Sequence, residues 1–585
     1  MSFKRIASIL LILILSVGLF VGCGSDSDGD GDTASNGGTS IDGDIFFTGK
    51  INFKDSNGES VYSILRPEGD SAALPVAQKV FKAIKDIVGV SAKNQTDDND
   101  GTDKYEILIG NCDRPEIATA KQYLAEKVGG RYDDVIICSI NKKIVIYSKN
   151  PLNLEKAAEY FVNTYVKADG VSGGILYTEA AKGNFENVTV NGEQIGKFKL
   201  VRPHFNSSYL TEMAMEEIVD TVYKKTGFML DIVHDEYVNA GDYEIIVGKA
   251  NRSDIKTIAD TDAYNITVSG KKVYLNGGSA HATAVAVSEF SKLLTGDIKD
   301  QSTDGSYNTV IGSYNAATTL KYAWGDDFNG TELDTSKWYQ STMKESGTKG
   351  ENGKTSVRSD YPNDVFVNDG SFHICARQDE TYYYGGRITT QKTMRYKYGY
   401  LEMSAVLPHG SDFWVALWAC GDVTEAINGN YNMYPEIDVI ECFGNSAWYA
   451  ANCHSWPTVH GEVAGLKHTS LDDSYGNEKK YQCPDDLLLT QSFHTYGMMW
   501  TPDSMTFVCD GDDYFTYNFQ DGTEDKNTFT QEMYLIISMA LGFENNSTSI
   551  NDATPDDWAY TNKYIVDWIN IYQKNDGISY VKNLG

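Results

Sequence analysis

The pattern of hydrophobic and polar positions divides the chain into two kinds of region. From about residue 46 to about residue 315, apolar residues recur at helical spacing in long segments, and these segments alternate with short strand-like runs. From about residue 320, short aromatic and β-branched runs alternate with Gly, Asn and Asp, and helical spacing is scarce. The pattern therefore predicts a multidomain protein in which an α/β region precedes an all-β antiparallel sandwich.

The α/β region contains an internal repeat. The segment LRPEGDSAALPVAQKVFKAIKDIVG (65–89) aligns with VRPHFNSSYLTEMAMEEIVDTVYKKTG (201–227), and both segments end in a glycine typical of a helix C-terminus. Each copy continues with a strand-like run, YEILIGNCDR (105–114) in one and YEIIVGKANR (243–252) in the other. Each copy then closes with a further helical stretch, so we expect one α/β unit to occur twice.

We place the two accessory repeats at residues 46–180 and 181–316. Neither copy groups acids, histidines or nucleophiles in its sequence, so we interpret the region as accessory to chemistry elsewhere. A spacer, a glycan-binding module and an inactive remnant stay open as its function.

The N-terminal segment differs in composition from the rest of the chain. Residues 3–23 place two basic residues before an apolar run that ends at Cys23, and this run is too short for a membrane span. The pattern predicts a signal peptide at residues 1–22. The letters FVGC resemble the lipobox of bacterial lipoproteins, which implies lipidation of the Cys23 thiol; cleavage without lipidation is the alternative. Residues 23–45 have few apolar side chains and predict a flexible linker.

The net charge restricts the partners of this protein. The formal charge is −31 at pH 7, so contact with a polyanion such as nucleic acid is opposed by repulsion. A neutral polymer meets no such penalty. We therefore exclude nucleic acid as a partner and retain a polysaccharide.

The cysteines do not indicate a zinc site. Eight cysteines follow Cys23, and they form neither a CxxC pair nor a short cluster with histidines. Several lie in apolar strand-like runs, such as Cys138 in DDVIICSI. We expect buried free thiols, and disulfides stay open for an exported chain.

One predicted strand, PEIDVIECFG, places three acids inside an apolar run: Glu436, Asp438 and Glu441. Alternate side chains of a strand share a face, so a regular strand would direct Glu441 away from the other two acids. A β-bulge between Asp438 and Glu441 would return it to their face, and bulges are frequent beside active sites. The apolar neighbours Ile437 and Val439 would then hold the strand in the core.

Three acids on one face fit a known reaction geometry. A retaining glycosidase needs two carboxyl groups about 5 to 5.5 Å apart, one as nucleophile and one as acid and then base. With the bulge, Glu436 and Glu441 approach such a separation. Because close carboxyl groups do not ionise independently, one of them is expected to keep its proton near neutral pH. An exposed acidic strand face is the alternative.

The acids also carry a family resemblance. EIDVIE matches the ExDxxE signature of glycoside hydrolase family 16, in the bulged branch of laminarinases, agarases and carrageenases. Four further segments resemble parts of that family: WGDDFNGTELDTSKW (324–338), GGRITTQKTMRYKYGYLEMSAVLPHGSDFWVALWAC (385–420), FHTYGMMWTPDSMTFVCDG (493–511) and YIVDWINIYQ (564–573). We identify residues 317–576 as a member of this family and residues 577–585 as a C-terminal tail.

The resemblance implies a β-jelly roll that hydrolyses internal β-glycosidic bonds with retention. By position, Glu436 is similar to the family's nucleophile and Glu441 to its acid/base, while Asp438 is similar to the acid that hydrogen-bonds the nucleophile. The resemblance implies no cofactor for this chemistry.

It also implies residues that bind substrate. His454 resembles the family histidine that faces the acids, although a strand histidine is often only structural. Trp414 and Trp418 fall where the family has a WPAxW segment, with Val415 in place of the proline. Indole faces suit the apolar faces of sugar rings. We favour Trp418 in the cleft and leave open whether one tryptophan is core. Arg387 is a sugar-contact candidate, with a structural ion pair as the alternative.

Members of the family often bind a structural calcium away from the cleft. The matching positions are the carboxylate of Asp567 and the backbone carbonyls of Asp327 and Gly370. Oxygen ligands suit calcium, and we retain this site as a possibility that the resemblance implies.

Together these expectations describe an exported, lipid-anchored, monomeric endo-β-glycanase. The substrate that we expect is β-1,3-glucan or mixed β-1,3-1,4-glucan. Three alternatives stay open: an agarase- or carrageenase-type galactan hydrolase, a transglycosylase, and a non-catalytic glycan-binding jelly roll.

Overall fold

The structure is a computed structural model. It describes residues 51–98, 105–168, 170–171, 175–307, 319–341, 348–349, 355–359, 364–408, 413–427, 429–443, 447–459, 462–463, 469–470, 479–483, 488–541 and 563–584. The predicted signal peptide, Cys23 and the predicted linker lie outside these residues. Within the described residues, no helix combines the length and apolar character that crossing a membrane requires.

The chain divides into two compact units. One comprises Met1–Val188 with Asp220–Leu230, and the other comprises Thr189–Val219 with Asp231–Gly585. The first unit therefore contains the first α/β copy, whereas most of the second copy groups with the C-terminal region.

The first α/β sheet has helices on both faces. Its strands are β1 (Ser63–Arg66), β2 (Lys93–Thr96), β3 (Glu106–Ile109), β4 (Val135–Ile140), β5 (Lys143–Ser148) and β8 (Leu176–Glu179), while β6 (Val166–Lys167) pairs with β7 (Gly170–Val171). The helices are α1 (Ala73–Val88), α2 (Pro115–Tyr123), which continues as a π-helical turn over Leu124–Val128, and α3 (Pro151–Tyr165). The strand order is β2-β1-β3-β5-β4-β8, and only β4 is antiparallel to its neighbours.

The helical spacing seen in the sequence becomes the buried face of α1. Val76, Val80 and Ile84 are buried in one core cluster with residues of α3 and of the sheet. Gly89 then adopts a φ of 75° and its N–H bonds back to the carbonyl of Lys85. This left-handed conformation favours glycine, which explains why the repeat ends its first helix there.

The second α/β sheet has the same plan. Its strands are β11 (Lys199–Arg202), β12 (Asp231–His234), β13 (Glu244–Val247), β14 (Ala263–Ser269), β15 (Lys272–Gly277) and β17 (Gln301–Ser306), and a small sheet comprises β9 (Thr189–Val190), β10 (Glu193–Gln194) and β16 (Asp297–Ile298). The helices are a 3-10 turn at Ile195–Lys197, α4 (Tyr209–Thr226) and α5 (Ala280–Lys292). The strand order, β12-β11-β13-β15-β14-β17, and the strand directions repeat those of the first sheet. The exact domain boundaries stay a prediction.

The C-terminal region is an antiparallel sandwich, as the short aromatic runs predicted. Its elements are β18 (Lys321–Asp326), β19 (Tyr339–Gln340), β20 (Thr348–Lys349), β21 (Thr355–Arg358), β22 (Val365–Asn368), β23 (Ser371–Cys375), β24 (Arg377–Gln378), β25 (Tyr382–Thr389), β26 (Met394–Lys397), β27 (Gly399–Val406), β28 (Phe413–Gly421), β29 (Thr424–Glu425), β30 (Asn432–Cys442), β31 (Trp448–Val459), β32 (Glu462–Val463), β33 (Thr469–Ser470), β34 (Lys480–Gln482), β35 (His494–Trp500), β36 (Ser504–Cys509), β37 (Asp512–Asn518), α6 (Glu524–Thr528), β38 (Met533–Leu541), β39 (Lys563–Gln573) and β40 (Tyr580–Asn583).

Two large sheets form this sandwich. The front sheet has the order β20-β21-β25-β38-β28-β30-β31-β32, with several short strands at its margins. The back sheet has the order β22-β23-β39-β27-β35-β36-β37, and β18 also pairs with β39. Residues 577–585, expected to be a tail, instead supply β40, which pairs with β26 along four residues.

The core lies between the two sheets and holds β30 from one side. Ile437 and Val439 are buried in the same cluster as Met403 of β27 and Ile571 of β39. Because apolar residues alternate with acids along β30, the acids face away from this core. The predicted anchoring role of Ile437 and Val439 is confirmed.

All eight described cysteines are free thiols, and all are buried. Burial raises the pKa of Cys112 to about 12 and that of Cys375 to about 11. These thiols behave as small core residues, as their positions in apolar runs predicted.

Within the second unit, a buried ion group joins the second α/β sheet to the sandwich. The Arg202 side chain is fully buried, and its Nε lies 3.0 Å from a carboxylate oxygen of Glu212 in α4. Its terminal nitrogens lie 2.6 Å from Asp512 of β37 and 2.8 Å from the carbonyl of Asp510. Buried charges are stable only when such partners are complete.

A second buried contact joins the same parts. The carboxylate of Glu402 in β27 accepts hydrogen bonds from Ser208 Oγ at 2.8 Å and from the backbone N–H of Tyr209, the first residue of α4, at 3.2 Å. The hydroxyl of Tyr400 donates to it at 2.5 Å. Burial raises the pKa of Glu402 to about 7. An acid from the sandwich thus occupies the N-terminus of a helix in the α/β sheet, where a negative charge is favoured.

Replacement of Arg202 by Met should destabilise the second unit strongly. The change leaves Glu212 buried without its cation, which typically costs about 3–5 kcal/mol in unfolding free energy. All nine tryptophans lie between Trp324 and Trp568, so tryptophan fluorescence in a urea titration of the full chain reports on this unit. As a control, Lys197→Met removes an ion pair with Glu193 that is largely exposed, so it should destabilise the protein far less than Arg202→Met does. Equal losses in the two variants would contradict the role of Arg202.

Candidate active site

The register of β30 shows the predicted bulge. On β31, Asn452 lies opposite Asp438 and Ala450 lies opposite Glu441. Three steps along β30 therefore match two steps along β31, and the pairing of β30 with β28 shifts at the same place. Because residues directly opposite each other share a face, the extra residue returns Glu441 to the face of Asp438. We call this outer face of the front sheet, with Glu436, Asp438 and Glu441, the acid face.

The acids are grouped around one histidine. Ligand-capable atoms of Glu436, Asp438 and His454 all lie within 4.8 Å of one another. His454 Nε2 is 3.4 Å from Asp438 Oδ2, and His454 also interacts electrostatically with Glu441. The structure therefore brings the predicted acids and the predicted histidine together.

Two indoles and an amide complete the hydrogen bonding of the outer acids. Trp456 hydrogen-bonds to Glu436, while Asn452 and Trp414 hydrogen-bond to Glu441. Such donors favour the ionised carboxylates and fix their orientation. Glu436 and Glu441 therefore each accept hydrogen bonds from a separate set of donors.

Burial dominates the titration of this site. It raises the pKa of Glu436 to about 7, and the neighbouring Asp438 raises it further, whereas His454 opposes the shift. Burial also raises the pKa of Asp438 well above its usual range, with Glu441 as the next cause. The pKa of Glu441 is raised by burial as well. The site therefore retains at least one carboxyl proton near neutral pH, as the close spacing predicted.

The basic groups beside the acids respond in the opposite direction. Burial lowers the pKa of His454, and the charges of Glu436 and Glu441 oppose that shift. Lys479 is only 3% exposed; burial lowers its pKa, while Glu441 raises it. Lys479 was not predicted, because it precedes β34 in a stretch that matches no motif and shows no clear periodicity.

Both predicted tryptophans lie on the acid face. Trp418 is directly opposite Asp438, and Trp414 lies four residues before it on β28, on the same side of the strand. Both side chains are half-buried. Trp414 packs on the exposed ring of Phe443, with ring centres 5.5 Å apart. Neither tryptophan is therefore a fully buried core residue, and the preference for Trp418 as the sugar contact stays a prediction.

Arg387 contacts a tryptophan on this face. Its guanidinium lies 5.1 Å from the centre of the Trp418 ring, while Trp418 Nε1 donates to Ser538 Oγ at 3.0 Å. Residues opposite each other across six strands form one row: Arg387, Ser538, Ala416, Glu441, Ala450 and Lys480. Lys480 also lies 4.5 Å from the Trp448 ring centre. Two cations thus occupy the row of Glu441, one on either side.

Two further aromatic contacts on the acid face were missed from the sequence. Trp456 stacks on His454, with ring centres 4.9 Å apart and an interplanar angle of 22°. The hydroxyls of Tyr434 and Tyr534 lie 3.1 Å apart. Strand alternation in AANCHSWP already places Trp456 on the side of His454, so that signal was available. Tyr534 comes from a distant strand and had no local signal.

The three predicted calcium positions lie in the sandwich, away from the acids. Burial raises the pKa of Asp567, the neighbouring Asp327 raises it further, and Lys249 opposes the shift. Gly370 lies in the turn between β22 and β23, where an added Cβ would be 3.2 Å from Asn329 Oδ1. A carboxylate pair suits calcium, whereas the ammonium of Lys249 is a competing cation. The calcium stays a proposal.

A β-sandwich with two glutamates grouped beside indole side chains defines a glycosidase-like domain. The family model described as "Beta-porphyranase A-D, GH16 domain" matches residues 320–574. This C-terminal region belongs to glycoside hydrolase family 16.

Relatives cover only parts of the chain. Glucan endo-1,3-beta-glucosidase A1 of Niallia circulans is 27% identical over 252 residues, which are 39% of this chain and 34% of that protein. Endo-1,3-1,4-beta-glycanase EglC of Rhizobium meliloti (strain 1021) is 23% identical over 282 residues, 46% of this chain and 52% of that protein. The chain thus spans about a third to a half of these relatives' lengths. A solved laminarinase from Flavobacterium sp. UMI-01 is 25% identical with a TM-score of 0.31, over 43% of this chain and 100% of that one.

Replacement of Glu436 by Gln should stabilise the protein at high pH. Because the folded pKa of Glu436 is about 7 and the ordinary value is 4.5, the folded state holds the proton more tightly. Stability therefore falls as pH rises from about 4.5 to about 7, by about 1.4 kcal/mol per pH unit for this group. Glu436→Gln removes the loss, so it should exceed wild type by about 3 kcal/mol at pH 8 and by little at pH 4.5.

Urea unfolding followed by tryptophan fluorescence at both pH values measures this difference. Glu425→Gln, an exposed acid on β29 of the same sheet, is the matched control and should follow wild type. A stability difference for Glu436→Gln that is the same at both pH values would contradict the raised pKa.

Proposed function

We propose that the C-terminal domain is a retaining endo-β-glycanase that hydrolyses internal β-1,3 or mixed β-1,3-1,4 glucan linkages. The observation that carries this proposal is the bulge in β30, which places Glu436 and Glu441 on one face with Asp438 between them. Two carboxyl groups so placed, with indoles beside them, suit double displacement at a sugar.

The first step forms a glycosyl-enzyme. Glu436 attacks the anomeric carbon, the bond to the leaving oxygen breaks, and Glu441 gives its proton to that oxygen. In the second step Glu441 takes a proton from water, the water oxygen attacks the anomeric carbon, and the bond to Glu436 breaks. The product keeps the anomeric configuration of the substrate.

Asp438 supports the nucleophile in this scheme. Its raised pKa keeps it protonated, so it donates a hydrogen bond towards the carboxylate of Glu436. His454 lies 3.4 Å from Asp438 and orients it. Trp456 stabilises the ionised Glu436 by a hydrogen bond from its indole.

The choice of a neutral glucan rests on charge, aromatic surface and relatives. The chain carries a formal charge of −31, which disfavours a polyanion. Trp414, Trp418 and Phe443 present aromatic surface beside the acids, suited to uncharged sugar rings. Two relatives are named as a glucan endo-1,3-beta-glucosidase and an endo-1,3-1,4-beta-glycanase.

A galactan is the second candidate, because the matched family model is described as a beta-porphyranase. Arg387 and Lys480 lie in the same row as Glu441 and could meet an anionic substituent of such a polymer. Transglycosylation differs from hydrolysis only in whether a sugar hydroxyl or water attacks the glycosyl-enzyme.

We also propose that the protein is exported and anchored to the membrane through a lipid on Cys23, and that it acts as a monomer. The support for export and anchoring is the sequence of residues 1–23, with its basic start, short apolar run and terminal Cys.

A panel of polysaccharides tests the activity. We expect wild type to release reducing ends from laminarin or lichenan, and Glu436→Gln to reduce release to background because the nucleophile is lost. Agarose, porphyran, carrageenan and xyloglucan complete the panel, and Glu425→Gln should retain wild-type activity. Release from porphyran alone would select the galactan. Equal release by wild type and Glu436→Gln would refute the assignment, and binding without release would favour a glycan-binding jelly roll.

Azide separates the roles of the two glutamates. In Glu436→Ala, azide fills the space of the nucleophile and attacks the anomeric carbon directly, so an α-glycosyl azide is expected. In Glu441→Ala, azide attacks the glycosyl-enzyme, so a β-glycosyl azide is expected, with a rate about 10²–10⁴ below wild type in the absence of azide. NMR of the products from an activated aryl β-oligosaccharide reports the anomer. If Glu436→Ala gave the β-glycosyl azide and Glu441→Ala gave the α-glycosyl azide, the roles of the two glutamates would be reversed.

A further inference from the structure

A second cleft opens in the second unit, on the opposite side of the sandwich from the acids. Its volume is about 690 Å³, which lies within the range of small-molecule sites. One wall is the outer face of the back sheet, where Asn570 and Tyr572 alternate with the core residues Ile569 and Ile571 of β39. The acid face lies on the front sheet, so the hydrophobic core separates the two sites.

The other wall is the carboxyl edge of the second α/β sheet. Pro203, Gly248 and Gly278, which line the cleft, follow the parallel strands β11, β13 and β15 directly. Open α/β sheets bind ligands at this edge, outside the carboxyl ends of their strands. At Gly278 an added Cβ would lie 1.9 Å from the carbonyl oxygen of Asp260, so a glycine is required for the tight turn into α5.

The two walls are held together by buried polar contacts. Ser208, a lining residue, donates to the buried carboxylate of Glu402. Ser207, another lining residue, accepts a hydrogen bond from Thr495 Oγ1 at 2.6 Å. The ion group of Arg202 lies in the same junction. A site between walls fixed in this way is preformed, which lowers the entropic cost of binding.

The lining combines aromatic surface with hydrogen-bonding groups. Tyr322 is 53% exposed, Trp568 is half-buried, and Tyr307 lies 4.8 Å from His281 between ring centres. Asn276 and Ser279 add an amide and a hydroxyl. Aromatic faces with dispersed polar groups suit pyranose rings, whose faces are apolar and whose edges carry hydroxyls.

The charges of the cleft favour a neutral ligand. Three aspartates and two lysines line it: Asp262, Asp327, Asp567, Lys249 and Lys337. The lining acids and bases nearly balance. The cleft therefore lacks the excess of basic groups that a phosphate or sulfate requires, and its acids are accompanied by ammonium groups that compete with a cation.

We propose that this cleft is a second glycan-binding site, which takes a neutral oligosaccharide segment of the polymer. It adds a binding function to the accessory region, and the choice of glycans for its test rests in part on the proposed function. A polymer bound there stays attached to the same compact unit as the acids, so its effective concentration at the acid face increases.

Isothermal titration calorimetry on the full chain measures the number of oligosaccharide-binding sites per chain. In Glu436→Gln, which binds without cleavage, we expect laminarihexaose, cellohexaose or neoagarohexaose to occupy two sites per chain. Tyr322→Ala in the same background should remove one site and leave the other unchanged. Tyr580→Ala, a 39% exposed tyrosine outside the cleft, is the matched control and should retain both. Each titration is run with calcium chloride and with EDTA.

Kinetics give a second readout. Tyr322→Ala alone should leave the hydrolysis of a short oligosaccharide at the wild-type rate and raise KM for the polysaccharide by about tenfold. Single-site binding in both backgrounds, or loss of no site in Tyr322→Ala, would overturn the proposal. Two-site binding together with absent hydrolysis by wild type would refute the proposed function and leave this inference standing.

Discussion

One extra residue in β30 determines the chemistry of this protein. Without it, Glu441 would enter the core between the two sheets, where an unpaired carboxyl is costly. With it, the strand keeps Ile437 and Val439 in the core and still presents three acids on one side. The neighbouring strands accept the irregularity because β28 and β31 both shift register at that point. A local departure from regular pairing thus assembles the site.

The site depends on burial as well as on position. The same front sheet that aligns the acids also withdraws them from water, and burial is the largest cause of the raised pKa of Glu436, Asp438 and Glu441. Proton retention is therefore a property of the sheet and its flanking aromatic side chains rather than of any one acid. His454 and Lys479 moderate this effect at Glu441 without abolishing it.

The sequence predicted those structural features that depend on the spacing of neighbouring residues. The bulge followed from the acids' spacing, and the ends of α1 and α4 followed from Gly89 and Gly227. Contacts between distant segments were not predictable, because no short pattern encodes them. Tyr534 reaches the acid face from β38, and β40 pairs with β26 although its sequence reads as a tail. The junction around Arg202 joins residues 310 positions apart.

The buried thiols allow the unfolding of each unit to be measured separately. Cys112 and Cys138 belong to the first unit, and the other six described cysteines belong to the second. A water-soluble alkylating reagent reacts with a thiolate, and burial together with the raised pKa withholds both access and ionisation while the fold is intact. Mass spectrometry of alkylated peptides would therefore give the opening rate of each unit separately, from the unmodified chain and without any added probe.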